Sequence, residues 1–286
     1  MILDLRECDP ITDRAACHAV LRAALRREPA VDTIHPGDWD WWCFHRDVGR
    51  SPVQLVGSKI LVDFATDTGE LVVFGADPGE LVEIIGHFGP AVRKVGFVDT
   101  RDHERISALD AAGFEPDGEI PWPMLARDPA GGVGGLRPLP SGIEIRPLAG
   151  AAEVPARSAA ARRAFASAME PEQHIARYRA FTQSPAYERT RDIVAVDEAG
   201  RVASFTVHWI DRELSLAQLE PVGTDPDFAR RGIARAVLAD TFSRLAAAGM
   251  RRVRVTTEGS NAAAIALYES CGFSETGRVD LYQRRQ

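Results

Sequence analysis

The stretch EPVGTDPDFARRGIARAVL, residues 220–238, contains the strand-to-helix turn that decides the fold. The predicted strand ends at Thr224, and the predicted helix begins at Ile233 with apolar residues spaced three and four apart. Gly232 lets backbone amides approach a ligand closely, and the unpaired amides of a helix N-terminus attract an anion. The turn therefore predicts a cradle for a pyrophosphate. The alternative is an arginine-rich helix start that contacts only solvent.

Strands and helices alternate on both sides of this turn in the C-terminal half. The order predicts an α/β fold with a mixed sheet. The predicted strands are 143–147, 192–196, 202–210, 214–224, 252–257 and 273–284, and the predicted helices are 151–168, 171–181, 233–248 and 261–270.

The N-terminal half repeats part of this order in shortened form. Gly75-Ala-Asp-Pro78 matches Gly223-Thr-Asp-Pro226, and Gly113-Phe114 matches Gly272-Phe273. About ten residues are missing from the first copy, and they correspond to the turn and the start of the following helix. A Gly- and Pro-rich connector, DPAGGVGGLRPLPSG from Asp128, separates the halves. We predict domains at 1–128 and 143–286, joined by a linker at 129–142.

Charge and cysteine content exclude several classes of function. Lys and Arg number 34 against 41 Asp and Glu, a net charge of −7, which disfavours nucleic acid and anionic membranes as partners. Four cysteines lie far apart without a metal-binding spacing, so we predict no metal site and a cytoplasmic protein. The N-terminus MILDLRECDP lacks the features of a secretion signal. The composition makes no prediction about oligomeric state.

Two motifs resemble the GNAT superfamily of acyl-CoA-dependent N-acyltransferases. The turn fits Q/R-x-x-G-x-G/A except that Ala229 stands at the Gln or Arg position. The segment SNAAAIALYESCGF, residues 260–273, fits N-x-x-A-x-x-x-Y-x-x-x-G-F throughout. The resemblance covers 142–286 well and implies two tandem GNAT-like domains. The first domain would be a degenerate copy, with Leu109 in place of the motif tyrosine.

The resemblance also implies which residues bind acetyl-CoA. The thioester carbonyl would lie along the strand at Val222, with Thr224 nearby, and Asn261 would contact the pantetheine arm. Glu80 and Glu83 in the first half would instead repel a phosphate. The predicted pyrophosphate cradle consists of Arg230, Arg231, Gly232, Ile233, Ala234 and Arg235.

Direct acyl transfer to an amine needs an acid and a base. The resemblance makes Tyr268 the acid, the alternative being an ordinary core aromatic. Gln218 stands at the usual Glu position and cannot take a proton. Glu220, two residues further and on the same strand face, is the predicted base, directly or through water, unless it only anchors substrate. His208 is a second candidate for the base.

One N-terminal segment, His35–Trp42, combines three tryptophans with acid and base side chains. It predicts either a packing wedge between domains or a wall of the acceptor pocket. We expect the chain to acetylate the primary amine of a small molecule. The alternatives are acetylation of a cysteinyl amino-sugar, as in mycothiol-synthase-like members of the family, and acyl-CoA binding without catalysis.

Overall fold

The fold comes from a computed structural model that describes residues 4–9, 12–27, 34–45, 53–184 and 186–286. The N-terminal stretch used above to argue against a leader lies partly outside these ranges. The elements of the N-terminal half are β1 (Leu5–Cys8), α1 (Arg14–Leu25), α2 (Pro36–His45), β2 (Val53–Val56), β3 (Ile60–Ala65), β4 (Glu70–Phe74), α3 (Pro78–Phe88), β5 (Lys94–Asp99), α4 (His103–Ala111), β6 (Phe114–Pro116) and β7 (Trp122–Arg127).

The C-terminal half has the predicted alternation of strands and helices. Its elements are β8 (Glu144–Pro147), α5 (Val154–Ala164), α6 (Pro171–Thr182), β9 (Asp192–Val196), β10 (Val202–Asp211), β11 (Leu216–Thr224), α7 (Ile233–Ala247), β12 (Arg252–Thr256), α8 (Ala262–Ser270) and β13 (Ser274–Arg284). The first predicted helix is shorter than expected, because Ala151–Glu153 form a separate 3-10 turn and the helix ends at Ala164. The predicted α/β class with a mixed sheet is confirmed.

The two halves share one continuous sheet and exchange strands. Its order is β1-β2-β3-β4-β5-β13-β7-β12-β11-β10-β9-β8, and β6 also pairs with β13. β7 precedes the linker, yet it lies between β12 and β13, with Arg127 opposite Val253 and Trp122 opposite Val279. β13 in turn pairs with β5 of the first half. Hydrogen-bonded strand pairs therefore join residues from both sides of the predicted linker at 129–142. The division of the chain into two domains there stays a prediction.

The repeated order is visible in the structure as two parallel strand–helix–strand units. β4-α3-β5 forms the first unit, and β11-α7-β12 forms the second. The predicted apolar face of α7 lies in the core, since Leu238, Phe242 and Leu245 are fully buried. The first unit has its own core, which Tyr282 from β13 joins.

Helix α2 lies between the halves, as the wedge interpretation of His35–Trp42 predicts. Trp41 packs edge-on against Phe181, with ring centroids 4.4 Å apart. Trp42 packs against Phe97 of the first half, with ring centroids 4.8 Å apart. Rings on one helix therefore contact both halves and fix the position of that helix between them.

The close contact between α2 and β10 predicts a loss of stability on substitution of Gly37. A Cβ atom there would lie 2.2 Å from Cβ of Trp209. We expect Gly37→Ala to lower the free energy of unfolding by about 1–3 kcal/mol, because the overpacked contact must separate. Gly86→Ala in α3 is the matched control, since its Cβ would meet no atom within 4 Å. Thermal unfolding of both variants measures the difference, and equal midpoints would contradict the prediction.

Candidate functional site

A parallel strand pair opens near the middle of the C-terminal half. β11 and β12 pair only between Leu216–Gln218 and Arg252–Arg254, and beyond these residues the strands separate. We call this opening the fork. The separated edges carry backbone groups that do not pair with each other, so an extended ligand can bind between them. Val222 and Thr224 lie on the β11 side of the fork, as predicted.

The N-terminus of α7 follows directly and is suited to an anion. Arg230 and Gly232 both have left-handed backbone conformations, with φ of 59° and 79°. No side chain caps the first turn of the helix, and residues 229–232 are exposed. Arg231 adds a guanidinium that lies 5.5 Å from the ring centre of Phe228. Open amides, the positive end of the helix dipole and arginine charge coincide at this turn.

The corresponding helix in the first half, α3, closes the same position with its own side chains. Asp77 accepts a hydrogen bond from the Glu80 amide at 2.9 Å, and Glu80 accepts one from the Asp77 amide at 2.8 Å. Lys59 pairs with Glu80 at 2.8 Å. A capping box of this kind occupies the amides and places two carboxylates where a phosphate would bind. The placement of Glu80 supports the prediction that the first half is a degenerate copy.

A buried arginine occupies the opening of the first half. β4 and β5 pair only from Glu70 to Leu71 before they separate. Arg105 of α4 donates to the carbonyl oxygens of Val73 at 3.2 Å and Ala76 at 3.0 Å. The guanidinium therefore binds carbonyl oxygens at the end of β4 and just beyond it.

Arg235 has a different environment from the other predicted cradle residues. One terminal nitrogen of its guanidinium donates to the carbonyl of Gly134 at 2.7 Å and to that of Ser270 at 3.2 Å. These contacts tie the linker to the start of α7 and to the end of α8. The structure thus shows Arg235 in contact with the linker. A role for its side chain in cofactor binding stays a prediction.

Two carboxyl groups from different halves meet beside the fork. Glu220 on β11 is half-buried, and Asp38 on α2 is only 4% exposed. A hydrogen bond joins the two carboxyls. Burial raises the pKa of both groups, and the charge of Glu220 raises the pKa of Asp38 further. At neutral pH the pair can hold a proton that two solvated carboxylates would release.

A basic side chain lies next to this pair. Burial lowers the pKa of Arg254 on β12 to about 10, so the guanidinium is charged at neutral pH. Arg254 donates to the side-chain oxygen of buried Gln218 at 3.3 Å. His35 stays neutral, because burial first and Arg254 second lower its pKa to about 3. Gln218 thus serves to hold Arg254, in a position where a carboxylate was expected from the resemblance.

Tyr268 is a core aromatic whose phenol stays protonated, and its role as the acid stays a prediction. Its ring belongs to the core beside Phe273, with centroids 5.6 Å apart, and the residue is 5% exposed. Burial, and then the charge of Glu220, raise the pKa of Tyr268, so the phenol keeps its proton at neutral pH. Asn261 holds α8 in place, because its side-chain oxygen accepts a hydrogen bond from the Ala264 amide at 3.0 Å. A contact between Asn261 and pantetheine stays a prediction.

His208 lies apart from these groups. It pairs across the sheet with Leu219, whose side chain points to the face opposite Glu220. Burial lowers the pKa of His208 to about 3, and Arg191 and Arg244 contribute to the shift. The structure therefore brings Glu220, and not His208, together with Tyr268.

Asp38 and Arg254 are the site residues that sequence reasoning did not single out. Asp38 was included only as one acid within the wedge segment, and its partner is far away in the sequence. Arg254 alternates with buried valines at 253 and 255, a pattern in which a polar side chain points to the other face of the strand. That alternation was the available signal for a second functional face.

Comparison with known proteins identifies the family that the C-terminal half resembles. The family model described as Acetyltransferase (GNAT) family matches residues 159–273. These residues form a GNAT domain. The mycothiol acetyltransferase of Clavibacter michiganensis is 40% identical over 93 residues, which cover 32% of this chain and 29% of the relative. The [ribosomal protein bS18]-alanine N-acetyltransferase of Escherichia coli is 40% identical over 76 residues, covering 27% of this chain and 50% of the relative. Both alignments span half or less of the relative's length.

A solved structure resembles the whole chain. The tandem GNAT protein from the clavulanic acid biosynthesis pathway has a TM-score of 0.67 and 12% identity, covering 98% of this chain and 97% of that one. This likeness extends the GNAT fold to the first half, which the family model does not match, and it confirms the predicted tandem architecture. Among the described residues, no helix combines the length and the apolar character needed to cross a bilayer.

Proposed function

We propose that this protein transfers the acetyl group of acetyl-CoA to the primary amine of a small molecule. The observation that carries the proposal is the convergence, at one fork, of the uncapped α7 N-terminus, Glu220 and Tyr268. In GNAT terms the amides of residues 230–234 bind the pyrophosphate, and the β11 edge at Val222 lies along the thioester. The described part of the first half shows no equivalent site, because the N-terminus of α3 is capped and Arg105 fills the opening beside β4.

The chain's own groups suit a direct transfer. A solvated alkylammonium, with a pKa near 10, must lose a proton before its nitrogen attacks the thioester carbonyl carbon. Glu220 accepts this proton, and burial makes it a stronger base than a solvated glutamate. When the carbon–sulfur bond breaks, the departing thiolate takes a proton from the phenol of Tyr268. The attacking nitrogen loses its second proton to the phenolate that this leaves, which gives a neutral amide and restores Tyr268, and Glu220 releases its own proton to solvent.

The charge of one cavity supports a cationic acceptor. A cavity of about 470 Å³ is bordered by residues 258–260, which lead into α8, the helix that carries Tyr268. Of the residues that the structure describes, no lysine or arginine lines it. Its acidic lining residues are Glu70, Asp117, Glu119, Glu258 and Asp280. An ammonium group is favoured in such a field over a neutral or anionic acceptor.

A second candidate is the acetylation of a cysteinyl amino-sugar, which the similarity to mycothiol acetyltransferase favours. Release of CoA thiol, measured over a panel of simple amines and a cysteinyl amino-sugar, separates the two substrate classes. Saturable release with any simple amine supports the first proposal. Acetyl-CoA binding without release on the whole panel would replace both by a binding protein.

Acetyl-CoA binding also tests the cradle directly. We expect one site per chain by calorimetry, and stabilisation by about 2.7 kcal/mol at a hundred times Kd. Gly232→Asp should raise Kd at least about tenfold, because a carboxylate there would cap the helix and repel the phosphates, as Asp77 does in the first half.

The control for this variant is Gly200→Asp in the β9–β10 hairpin. Gly200 has the same φ of 79° as Gly232 and equally open surroundings, so the backbone strain is matched. Two sites per chain, or equal affinities for the two variants, would contradict a single cradle at α7.

A further inference from the structure

The position of α2 against the C-terminal half is well defined at its first turn. The side-chain nitrogen Nε2 of His35 lies 3.4 Å from the carbonyl oxygen of Leu216, at the start of β11. Gly37 touches Trp209 of β10 so closely that no side chain fits between them. Asp38, the next residue, is thereby held beside Glu220.

The surroundings of Asp38 contain few groups that could stabilise its ionised form. Its Oδ1 is fully buried and accepts no hydrogen bond from a described residue. The carboxyl accepts a hydrogen bond from the backbone amide of His35, which favours the ionised form but is outweighed by burial. Arg254 is the cation that acts on it, and this guanidinium also bonds to Gln218. His35, the residue just before α2, is neutral.

The charged groups on the other described neighbours of α2 are not among the main influences on the pKa of Asp38. The groups of α1, Arg14 and His18, bind Asp40 instead, at 2.7 and 3.0 Å. Helix α6 and strand β10 meet α2 through the rings of Phe181 and Trp209. A carboxyl in such a place keeps its proton more readily than half-buried Glu220 does, because burial disfavours the charged form.

We propose that Asp38 is a positioning residue for the reaction and that its protonated carboxyl donates a hydrogen bond to ionised Glu220. This orients Glu220 toward the acceptor amine and keeps its second oxygen available to accept a proton. The inference rests on the proposed function for the role of Glu220. It assigns the N-terminal half a task in the chemistry of the other half, although Arg105 fills the opening of the N-terminal half.

Two substitutions of Asp38 test whether its carboxyl acts as a neutral hydrogen-bond donor or as an ionised carboxylate. Asp38→Ala removes the donor and should lower kcat/KM for the acceptor by about 10- to 30-fold, since a hydrogen bond to a charged group is lost. Asp38→Asn keeps an N–H donor of the same shape and should recover most of that loss, to within about threefold of the wild type. Acetyl-CoA affinity should be the same for all three proteins. If Asp38→Asn lowers kcat/KM as much as Asp38→Ala does, Asp38 does not act as a neutral hydrogen-bond donor.

The pH profile supplies a readout that simple loss of packing would not change. Ionisation of Asp38 at alkaline pH breaks its hydrogen bond and places two carboxylates together, so wild-type kcat/KM should fall there. The Asn variant cannot ionise and should lack this alkaline fall. An identical alkaline limb in both proteins would overturn the proposal.

Carboxyl ¹³C NMR titration of the protein without substrate tests the pair independently of turnover. The wild type should show two separated steps, the upper one well above the ordinary carboxyl range, and Asp38→Asn should show only the lower one. Independent titration of both groups near their ordinary values of about 4 would refute the shared hydrogen bond. Two separated steps with no turnover of any amine would retain the pair and reject only the proposed function.

Discussion

Glu220→Gln should lower kcat/KM for the amine acceptor by about 10²–10⁴-fold, the usual contribution of a positioned general base. Glutamine has the same shape and still accepts a hydrogen bond from Asp38, but it cannot take the proton of the ammonium group. Acetyl-CoA affinity should be unchanged, because the α7 amides that bind the phosphates are not altered. Steady-state thiol release and calorimetry measure the two quantities.

The pH dependence of wild-type kcat/KM tests the role of Glu220 as a base. Glu220 acts as a base only when ionised, so kcat/KM rises as pH increases through its pKa. Burial raises the pKa of Glu220, and the acid limb therefore lies above the value of about 4.3 of a free glutamate. Glu198→Gln, at an exposed position in the β9–β10 hairpin, is the control and should leave the profile unchanged. Full activity of the Glu220 variant would assign the base to another group or to water.

Tyr268→Phe should lower kcat by about a hundredfold, because the departing thiolate loses its proton donor. The ring stays in the core beside Phe273, so the thermal midpoint should change little. Burial raises the pKa of Tyr268, which keeps the phenol protonated across the neutral range where the reaction is measured. Single-turnover thiol release isolates this chemical step from binding.

Tyr282→Phe is the matched control for the tyrosine substitution. Tyr282 is equally buried, at 5% exposure, and it packs in the core of the first half. Its variant should retain activity and show a comparable thermal midpoint. If both phenylalanine variants turn over normally, Tyr268 is a core aromatic and no acid is assigned.

The two strand–helix–strand units of the sheet, β4-α3-β5 and β11-α7-β12, differ in whether a ligand can bind where their parallel strands separate. Both units separate after a short pairing, but only α7 begins at an uncapped glycine. In the first unit Asp77 and Glu80 satisfy the helix amides, and Arg105 uses the strand carbonyls. These contacts occupy the amides and carbonyl groups of the first unit with the chain's own side chains.

Local pattern was sufficient for much of this protein. Alternating apolar residues, the glycine at 232 and the stop at Gly249 predict the elements of the C-terminal half nearly to their observed bounds, because these signals depend on neighbours in sequence. Spacing within α8 places Asn261 at the helix start and Tyr268 two turns later. The repeated Asp-Pro and Gly-Phe pairs predict two related units.

Strands and side chains that are far apart in the sequence but pair in the fold could be identified only from the tertiary structure. The exchange of β7 and β13 between halves depends on which edges are left unpaired once both units have formed, and no local pattern encodes that choice. The pairing of Asp38 with Glu220 depends on where α2 packs, which Gly37 and Trp209 determine through close contact. The sequence by itself predicted the elements of the C-terminal half and, with the family resemblance, named the residues of the candidate cradle, acid and base. The tertiary structure decided which carboxyl neighbours the base, because burial and charge at a site are properties of everything packed around it.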